Sequence, residues 1–240
     1  MSEAAAPYGS QIVFLFLGGF ILAIALEAWC LHRRVALKIL AFTGARADGV
    51  VLGFMASTAL LSMWMSNTAT TLMMLPIAAS VLSLLRGAQE GSDHQRGELS
   101  AGERAFATSL MLGVAYAANI GGAMTLIGTP PNLVLASFFE RELGAPISFL
   151  SWLKIGVPFG LVTLALTYLA LTRLLFRSGL GEIKGAEEAI REARCELGAW
   201  SVGERRVAVI FSLTALAWVF KGQLNVLPGS GASASLQWSW

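Results

Sequence analysis

The sequence predicts an all-α membrane protein, and its composition and its apolar stretches carry that prediction. The chain has 240 residues, of which 55% are hydrophobic and only 13% are charged. So little polar surface could not cover a water-soluble globule, and the composition also excludes a disordered chain or a coiled coil. The formal net charge of +2 gives no basic footprint for binding nucleic acid.

Five apolar stretches follow one another along the chain. They cover Ile12–Leu31, Gly49–Leu85, Ala105–Phe139, Ile155–Leu175 and Val207–Val219, the last of which can extend to Leu227. A helix needs roughly 20 residues to cross the hydrocarbon of a bilayer, so the first stretch has the length of a full span. Glu3 and no basic residue precede it, which argues against a secretory signal peptide.

Basic residues between the stretches predict the orientation. There are four in 33–46, three in 86–104, two in 138–154 and seven in 173–206. Because cytoplasmic loops collect Lys and Arg, the simplest topology is a multi-pass protein of the cell membrane. It places the N-terminus, the 138–154 loop and the C-terminal tail outside.

This orientation requires Gly49–Leu85 to enter and leave on the cytoplasmic side. Two full crossings or one re-entrant hairpin would both satisfy it. The two arms, Gly49–Trp64 and Leu72–Leu85, have 16 and 14 residues, which is short for a span. The residues between them are too polar for a bend that faces lipid. We therefore expect a re-entrant helical hairpin over 49–85, with its tip buried in protein.

The third stretch, residues 105–139, is predicted to be a broken helix. Pro130 and Pro131 remove backbone donors, and three glycines between 121 and 128 weaken helical structure further. We expect a helix over Ala105–Ala118, unwound backbone from Asn119, and a new helix that starts at the prolines. Thr129 is then the cap of that helix.

Both the hairpin tip and the broken helix place helix starts near the middle of the membrane. Helix starts attract anions, whereas hydroxyl, amide and carbonyl oxygens suit an alkali cation. Broken helices that offer both at the midplane are typical of secondary transporters. Three simpler interpretations stay open: hydroxyls that bond back to their own helix, glycines that serve only close packing, and prolines that only kink the helix.

The polar residues 178–206 predict a cytoplasmic amphipathic helix. This helix would link the membrane segments of residues 1–177 to the last membrane helix and tail, residues 207–240. Ile183, Ala186, Ile190, Ala193 and Leu197 recur at helical spacing. Glu187 and Arg191 have the spacing of an i,i+4 ion pair. Residues 228–240 read as loop.

Two short motifs carry a resemblance to a known family. Residues 66–70 read Ser-Asn-Thr-Ala-Thr, and residues 128–132 read Gly-Thr-Pro-Pro-Asn. Together with Leu-Phe-Leu-Gly-Gly-Phe at 15–20, Leu-His-Arg-Arg at 31–34 and Glu-Arg-Arg-Val at 204–207, they resemble the divalent anion:sodium symporters. The resemblance covers about residues 12–220.

The resemblance implies a secondary transporter and not an enzyme. Members of the family carry a dicarboxylate, a tricarboxylate or sulfate together with Na⁺. They are homodimers that work by an elevator-like movement. The implied sodium ligands are Ser62, Ser66, Asn67 and the backbone of Gly128. The residues implied to face or border the anion are Ser66, Asn67, Thr68, Thr129 and Pro130. Asn119 stands where the family commonly has a small residue, and its role is open.

The family has two inverted repeats, whereas this chain has one copy of each motif. We therefore expect a piece that covers most of the first repeat and holds about half of the site. Three alternatives are an antiparallel dimer that completes the site, a membrane-embedded enzyme, and a truncated, non-transporting membrane fragment or scaffold. The enzyme interpretation lacks a nucleophile with a base, and Gly128-Thr129 lacks the lysine of a phosphate-binding loop.

Overall fold

The computed structural model describes residues 11–87, 99–183 and 185–224, and these residues are overwhelmingly helical. The α-helices of the described residues are α1 (Gln11–Ala28), α2 (Leu31–Thr43), α3 (Ala47–Ser62), α4 (Asn67–Gly87), α5 (Ala101–Met124), α6 (Pro130–Leu143), α7 (Phe149–Leu169), α8 (Ala186–Glu196) and α9 (Val202–Leu224). A π-helical segment, Ala170–Leu175, continues α7. The predicted all-α fold is confirmed.

Two of these helical segments are long and apolar enough to cross a membrane, namely Ala101–Met124 and Phe149–Leu175. A third is added if Val13–Ala28 and Leu31–Thr43, which meet at a bend of 70°, form one span. Exposed large apolar side chains cover the outer faces of α1, α7 and α9. Such surfaces are stable in contact with lipid and not in contact with water.

The core forms where α3 packs between α2, α4 and α5. Phe54, Met55 and Leu110 are fully buried there. Small residues let the backbones of α3 and α5 approach closely: a Cβ on Gly121 would overlap the carbonyl oxygen of Ala59. Close backbone approach at small residues is the usual basis of helix association in membranes.

The first predicted span is shorter than expected, and the predicted loop after it is a helix. α1 ends at Ala28, and Cys30 adopts the left-handed conformation, with φ of 51°. The chain then turns into α2, which buries Leu37 and Leu40 and exposes Lys38. An amphipathic pattern over 31–43 explains why these residues are helical despite their basic charge.

The predicted hairpin consists of α3 and α4, joined by a turn at residues 63–66. Its re-entrant course through a membrane stays a prediction. The broken helix differs from expectation, because α5 continues through Asn119, Gly121 and Gly122 to Met124. The break is therefore confined to residues 125–129. The glycines are compatible with the helix because they provide its close contacts with α3 and with Asn67.

The start of α6 agrees with expectation in position. Thr129 is the extended residue before the helix and Pro130 is its first residue. The expected capping by the Thr129 side chain is wrong, since that side chain forms no capping hydrogen bond.

The predicted linker is helical over a shorter range, Ala186–Glu196, with Ala186 and Ile190 buried. Arg191 pairs with Glu188, one helical turn away, in place of the expected Glu187. The last helix begins at Val202, before the apolar stretch, because Ser201 and Glu204 cap it reciprocally. Residues 88–98 of the predicted 86–104 loop and the predicted loop at 228–240 lie outside the described residues.

Candidate functional site

The hairpin tip presents the start of α4. The Ser66 hydroxyl accepts a hydrogen bond from the Ala69 amide at 3.2 Å, which is the geometry of a helix cap. Asn67 and Thr68 follow in the first turn, with Asn67 half-buried and Thr68 exposed. The Thr71 hydroxyl bonds back to the Asn67 carbonyl at 2.8 Å.

The break between α5 and α6 is held closed by an amide from α6. Asn132 donates from Nδ2 to the carbonyl oxygens of Gly122, at 2.9 Å, and Thr125, at 2.7 Å. The indole N–H of Trp152 in α7 donates to the Ala123 carbonyl at 3.0 Å. These bonds satisfy carbonyls that the end of α5 leaves without helical partners. Asn132 belongs to the motif at 128–132, but the sequence alone does not predict this role. The feature that could have indicated it is the position of an amide side chain in the first turn after a helix break.

The hairpin tip and the break lie against each other. The Thr125 hydroxyl in the break donates to the Met63 carbonyl oxygen in the tip. A Cβ on Gly122 would overlap the Asn67 amide oxygen, so Asn67 sits directly on the surface of α5. The two interrupted segments that the sequence predicts to share a site are therefore in contact.

A chain of side-chain amides connects α5 to the tip. Asn119 donates from Nδ2 to the Ala115 carbonyl at 3.0 Å, and its Oδ1 accepts from Asn67 Nδ2 at 3.0 Å. Because the Ala115 carbonyl can only accept, it fixes the orientation of both amides. The Asn67 amide oxygen must then face Ser62.

Ser62 completes this chain. It is fully buried, and its Oγ lies 2.8 Å from Asn67 Oδ1 and 2.7 Å from the Ala118 carbonyl oxygen. A serine hydroxyl has one proton, so it cannot donate fully to both oxygens at once. Apart from the helical hydrogen bond that the Ala118 carbonyl accepts within α5, these three oxygens share the single side-chain proton of Ser62, so the cluster has acceptor capacity to spare and no formal charge. Such a cluster suits a hard cation of low charge.

The other predicted site residues surround this cluster. Gly128 is buried, and its Cα packs against the backbone of Gly122. Thr129 is half-buried and Pro130 is exposed at the start of α6. Within the described residues, the structure gives no hydrogen bond between Thr129 and Ser66 or Thr68. The structure thus links Ser62 and Asn67 directly and leaves the predicted anion-facing groups at the two helix starts.

Helices of membrane-spanning length, together with interrupted helices that meet through buried polar groups, indicate an α-helical membrane protein. The chain matches the family described as the sodium:sulfate symporter transmembrane region over residues 1–235. The chain belongs to this family.

Curated relatives are similar to this chain over most of its length. The sodium-dependent dicarboxylate transporter SdcS of Staphylococcus aureus, in strains USA300 and NCTC 8325 / PS 47, is 41% identical over 217 residues. The match covers 90% of this chain and 41% of each relative. The chain therefore spans less than half the length of these relatives, which are named as transporters and not as enzymes.

Proposed function

We propose that this chain contributes to a sodium-coupled secondary transporter of a divalent anion, in which it supplies about half of the site. The family and the name of the staphylococcal relatives support both the coupling ion and the substrate class. A dicarboxylate, citrate or sulfate would be the anion. The parent protein would be a multi-pass protein of the cell membrane, a homodimer when full length, with the lipid bilayer and no nucleic acid among its partners.

The oxygen cluster at Ser62 is the observation that carries the sodium proposal. A sodium ion near Ser62 and Asn67 would use the acceptor capacity that a single hydroxyl proton leaves unfilled. Ser66 and the Gly128 backbone are the further proposed ligands. Neutral oxygens bind an alkali cation without the desolvation cost of a buried carboxylate.

The starts of α4 and α6 are the proposed positions for the anion. Their first amide groups lack helical partners and carry the partial positive charge of the helix dipole. Ser66, Asn67 and Thr68 would face the anion at one start, and Thr129 and Pro130 would border it at the other. Bound sodium nearby would add positive charge, which gives a physical reason for coupling.

Uptake of a radiolabelled dicarboxylate into proteoliposomes tests the proposal. We would compare this chain with a version extended at both ends by the corresponding segments of SdcS. Sodium-dependent uptake by the extended version is expected. The Ser62→Ala variant of that version should require about tenfold more sodium for half-maximal uptake, because a buried ligand is lost.

Thr71→Ala is the matched control, since the Thr71 hydroxyl bonds only within α4 in the described contacts. It should leave the sodium curve unchanged. An unaltered curve in Ser62→Ala would remove Ser62 from the site. Absence of sodium-dependent uptake in the extended version would favour the scaffold alternative.

A further inference from the structure

A basic groove of about 550 Å³ lies between α2 and α8, on the surface of the protein. Its lining includes four cationic side chains and one tryptophan: Arg34, Lys38, Arg191, Arg194 and Trp200. Among the residues that the structure describes, none that lines the groove is acidic. A groove with this lining would attract a compact anion.

Ion pairs account for only two of the four cations. Arg34 donates to both carboxylate oxygens of Glu204 at 3.0–3.2 Å, and its guanidinium lies 5.1 Å from the centre of the Trp200 ring. Arg191 pairs with Glu188. Within the described ranges, Lys38 and Arg194 have no ion pair, and both side chains are exposed. The groove therefore keeps two uncompensated positive charges beside a guanidinium fixed in place.

Apart from Glu188, which pairs with Arg191, the charged residues that line the two cavities beside α8 differ in sign from one flank of the helix to the other. Arg191 and Arg194 line the basic groove, whereas Glu192 and Glu196 line the neighbouring cavity on the other side of the helix. The Glu196 carboxylate pairs there with Arg33 at 3.2 Å. This segregation concentrates positive charge in one groove of a chain whose net charge is only +2.

Tryptophans place the groove at the boundary of the apolar helices. Trp29, at the end of α1, stacks directly on Gly203, at the start of α9. Trp29 and Trp200 are 48% and 45% exposed. Tryptophan is enriched at the depth of lipid headgroups, and the two helices that adjoin these tryptophans, α1 and α9, expose large apolar side chains.

We propose that this groove binds the phosphate headgroup of an anionic phospholipid. Arginine and lysine are the residues that recognise phosphate, and basic pockets at the cytoplasmic boundary of membrane helices suit lipid headgroups. The exposed apolar faces of the adjacent helices would accommodate the acyl chains. The residues that line this groove differ from those of the proposed transport site, and the inference does not depend on transport.

Thermal unfolding in mixed micelles tests the proposal. A ligand that binds the folded state raises the melting temperature by mass action. Phosphatidylglycerol added to micelles of detergent and phosphatidylcholine should raise the melting temperature of the whole chain. The double variant Lys38→Gln/Arg194→Gln should melt normally in phosphatidylcholine alone and should lose this increase, and each single variant should lose part of it.

The matched control is Arg205→Gln/Arg206→Gln, which removes two exposed charges near the same boundary but outside the groove. It should keep the increase. An equal loss in both double variants would show general attraction to a charged surface and overturn the proposal. If soluble glycerol phosphate in phosphatidylcholine micelles gives the same increase in melting temperature, the groove binds free phosphate and the lipid assignment is overturned. The absence of any increase with phosphatidylglycerol would also overturn the proposal.

Discussion

Hydroxyl groups inside the described helices differ in whether they bond within their own helix or to a neighbouring one. Thr58 and Thr71 bond to carbonyls four residues earlier, so they serve only their own helices. Ser62 reaches instead to α5 and to the amide of Asn67. The back-bonding alternative therefore describes Thr58 and Thr71 but not Ser62. A residue type alone does not distinguish the two, because the distinction depends on what packs against the helix.

Asn119 is the clearest test at this scale, because it orients Asn67 without lying in the hairpin. Its replacement by alanine removes the acceptor that holds the Asn67 amide group. We expect Asn119→Ala in the SdcS-extended version to raise the sodium concentration for half-maximal uptake about fivefold. That corresponds to one hydrogen bond of about 1 kcal/mol.

Asn119→Ser is the matched variant, since its shorter side chain keeps an acceptor but not the reach of an amide. It should fall between alanine and the wild type. A sodium curve in Asn119→Ala identical to that of the wild type, at equal expression, would show that Asn67 needs no support from α5.

Motif residues could be predicted from the sequence, but their partners could not. The interruptions near Asn67 and at the two prolines follow from local chemistry, and both appear in the structure. The pairing of Asn132 with Gly122 and Thr125 depends on how the chain folds back over the break. No local sequence pattern determines how the chain folds back over the break, so the role of Asn132 could not be predicted.

Helices were predictable where periodicity or length was strong and less so at their ends. α5 exceeds the predicted helix because helix contacts outweigh the low intrinsic propensity of Gly121 and Gly122. α2 was missed because its basic residues suggested a loop, although its apolar residues recur with helical spacing. Packing against α3 and α8 gives it buried partners that composition alone does not reveal.

Gly121 gives a prediction for the contact between α3 and α5. A Cβ there would overlap the Ala59 carbonyl oxygen, so the two helices would have to separate. We expect Gly121→Ala to lower the free energy of unfolding by about 2 kcal/mol, as overpacking usually does. Thermal or denaturant unfolding in detergent would measure the change.

Gly18 on α1 provides the control, because a Cβ there would meet no atom within 4 Å. Gly18→Ala should be neutral or should stabilise by up to about 1 kcal/mol through helix propensity. Equal effects at the two positions would contradict the close contact between α3 and α5.

Glu204 predicts a dependence of stability on pH at the junction of α2 and α9. It precedes the apolar stretch that begins at Val207. The hydrogen bond from the Ser201 backbone amide holds the pKa of the Glu204 carboxyl below its ordinary value. Burial opposes this effect by raising the pKa, whereas Arg34 lowers it further. A lowered carboxyl pKa stabilises the fold above the unfolded pKa of about 4.3, and this stabilisation is lost as pH falls through the folded pKa.

The melting temperature of the wild type should therefore decrease on acidification through this range. Glu204→Gln should lower the melting temperature at neutral pH and weaken its dependence on pH. Parallel pH profiles for the wild type and the variant would mean that another carboxyl group dominates.

At the scale of the whole molecule, the orientation predicted from the basic residues stays a prediction, and the two free cysteines offer a test of it. Cys30 lies at the bend between α1 and α2, and Cys195 lies on α8, which packs against α2. Both are exposed. The proposed orientation places both in the cytoplasm.

Labelling of these native cysteines by a membrane-impermeant maleimide measures the orientation. Neither cysteine should react in intact cells, and both should react in inside-out vesicles. The variants Cys30→Ser and Cys195→Ser assign the signal to each position. Reaction of one cysteine from each side of the membrane would contradict the packing of α8 on α2.

The contact between the tip and the break also constrains how this chain can move. Pulling α3 and α4 away from α5 and α6 would leave the Met63 carbonyl and the Asn67 amide N–H without their present partners, and the Ser62 hydroxyl would keep only its bond to Asn67. Unpaired groups of this kind each cost about 1–3 kcal/mol inside a protein. A displacement of the hairpin should therefore carry the broken helix with it. An ion held between the two would then move together with both of them. It would not be released by a separation of the hairpin from the broken helix.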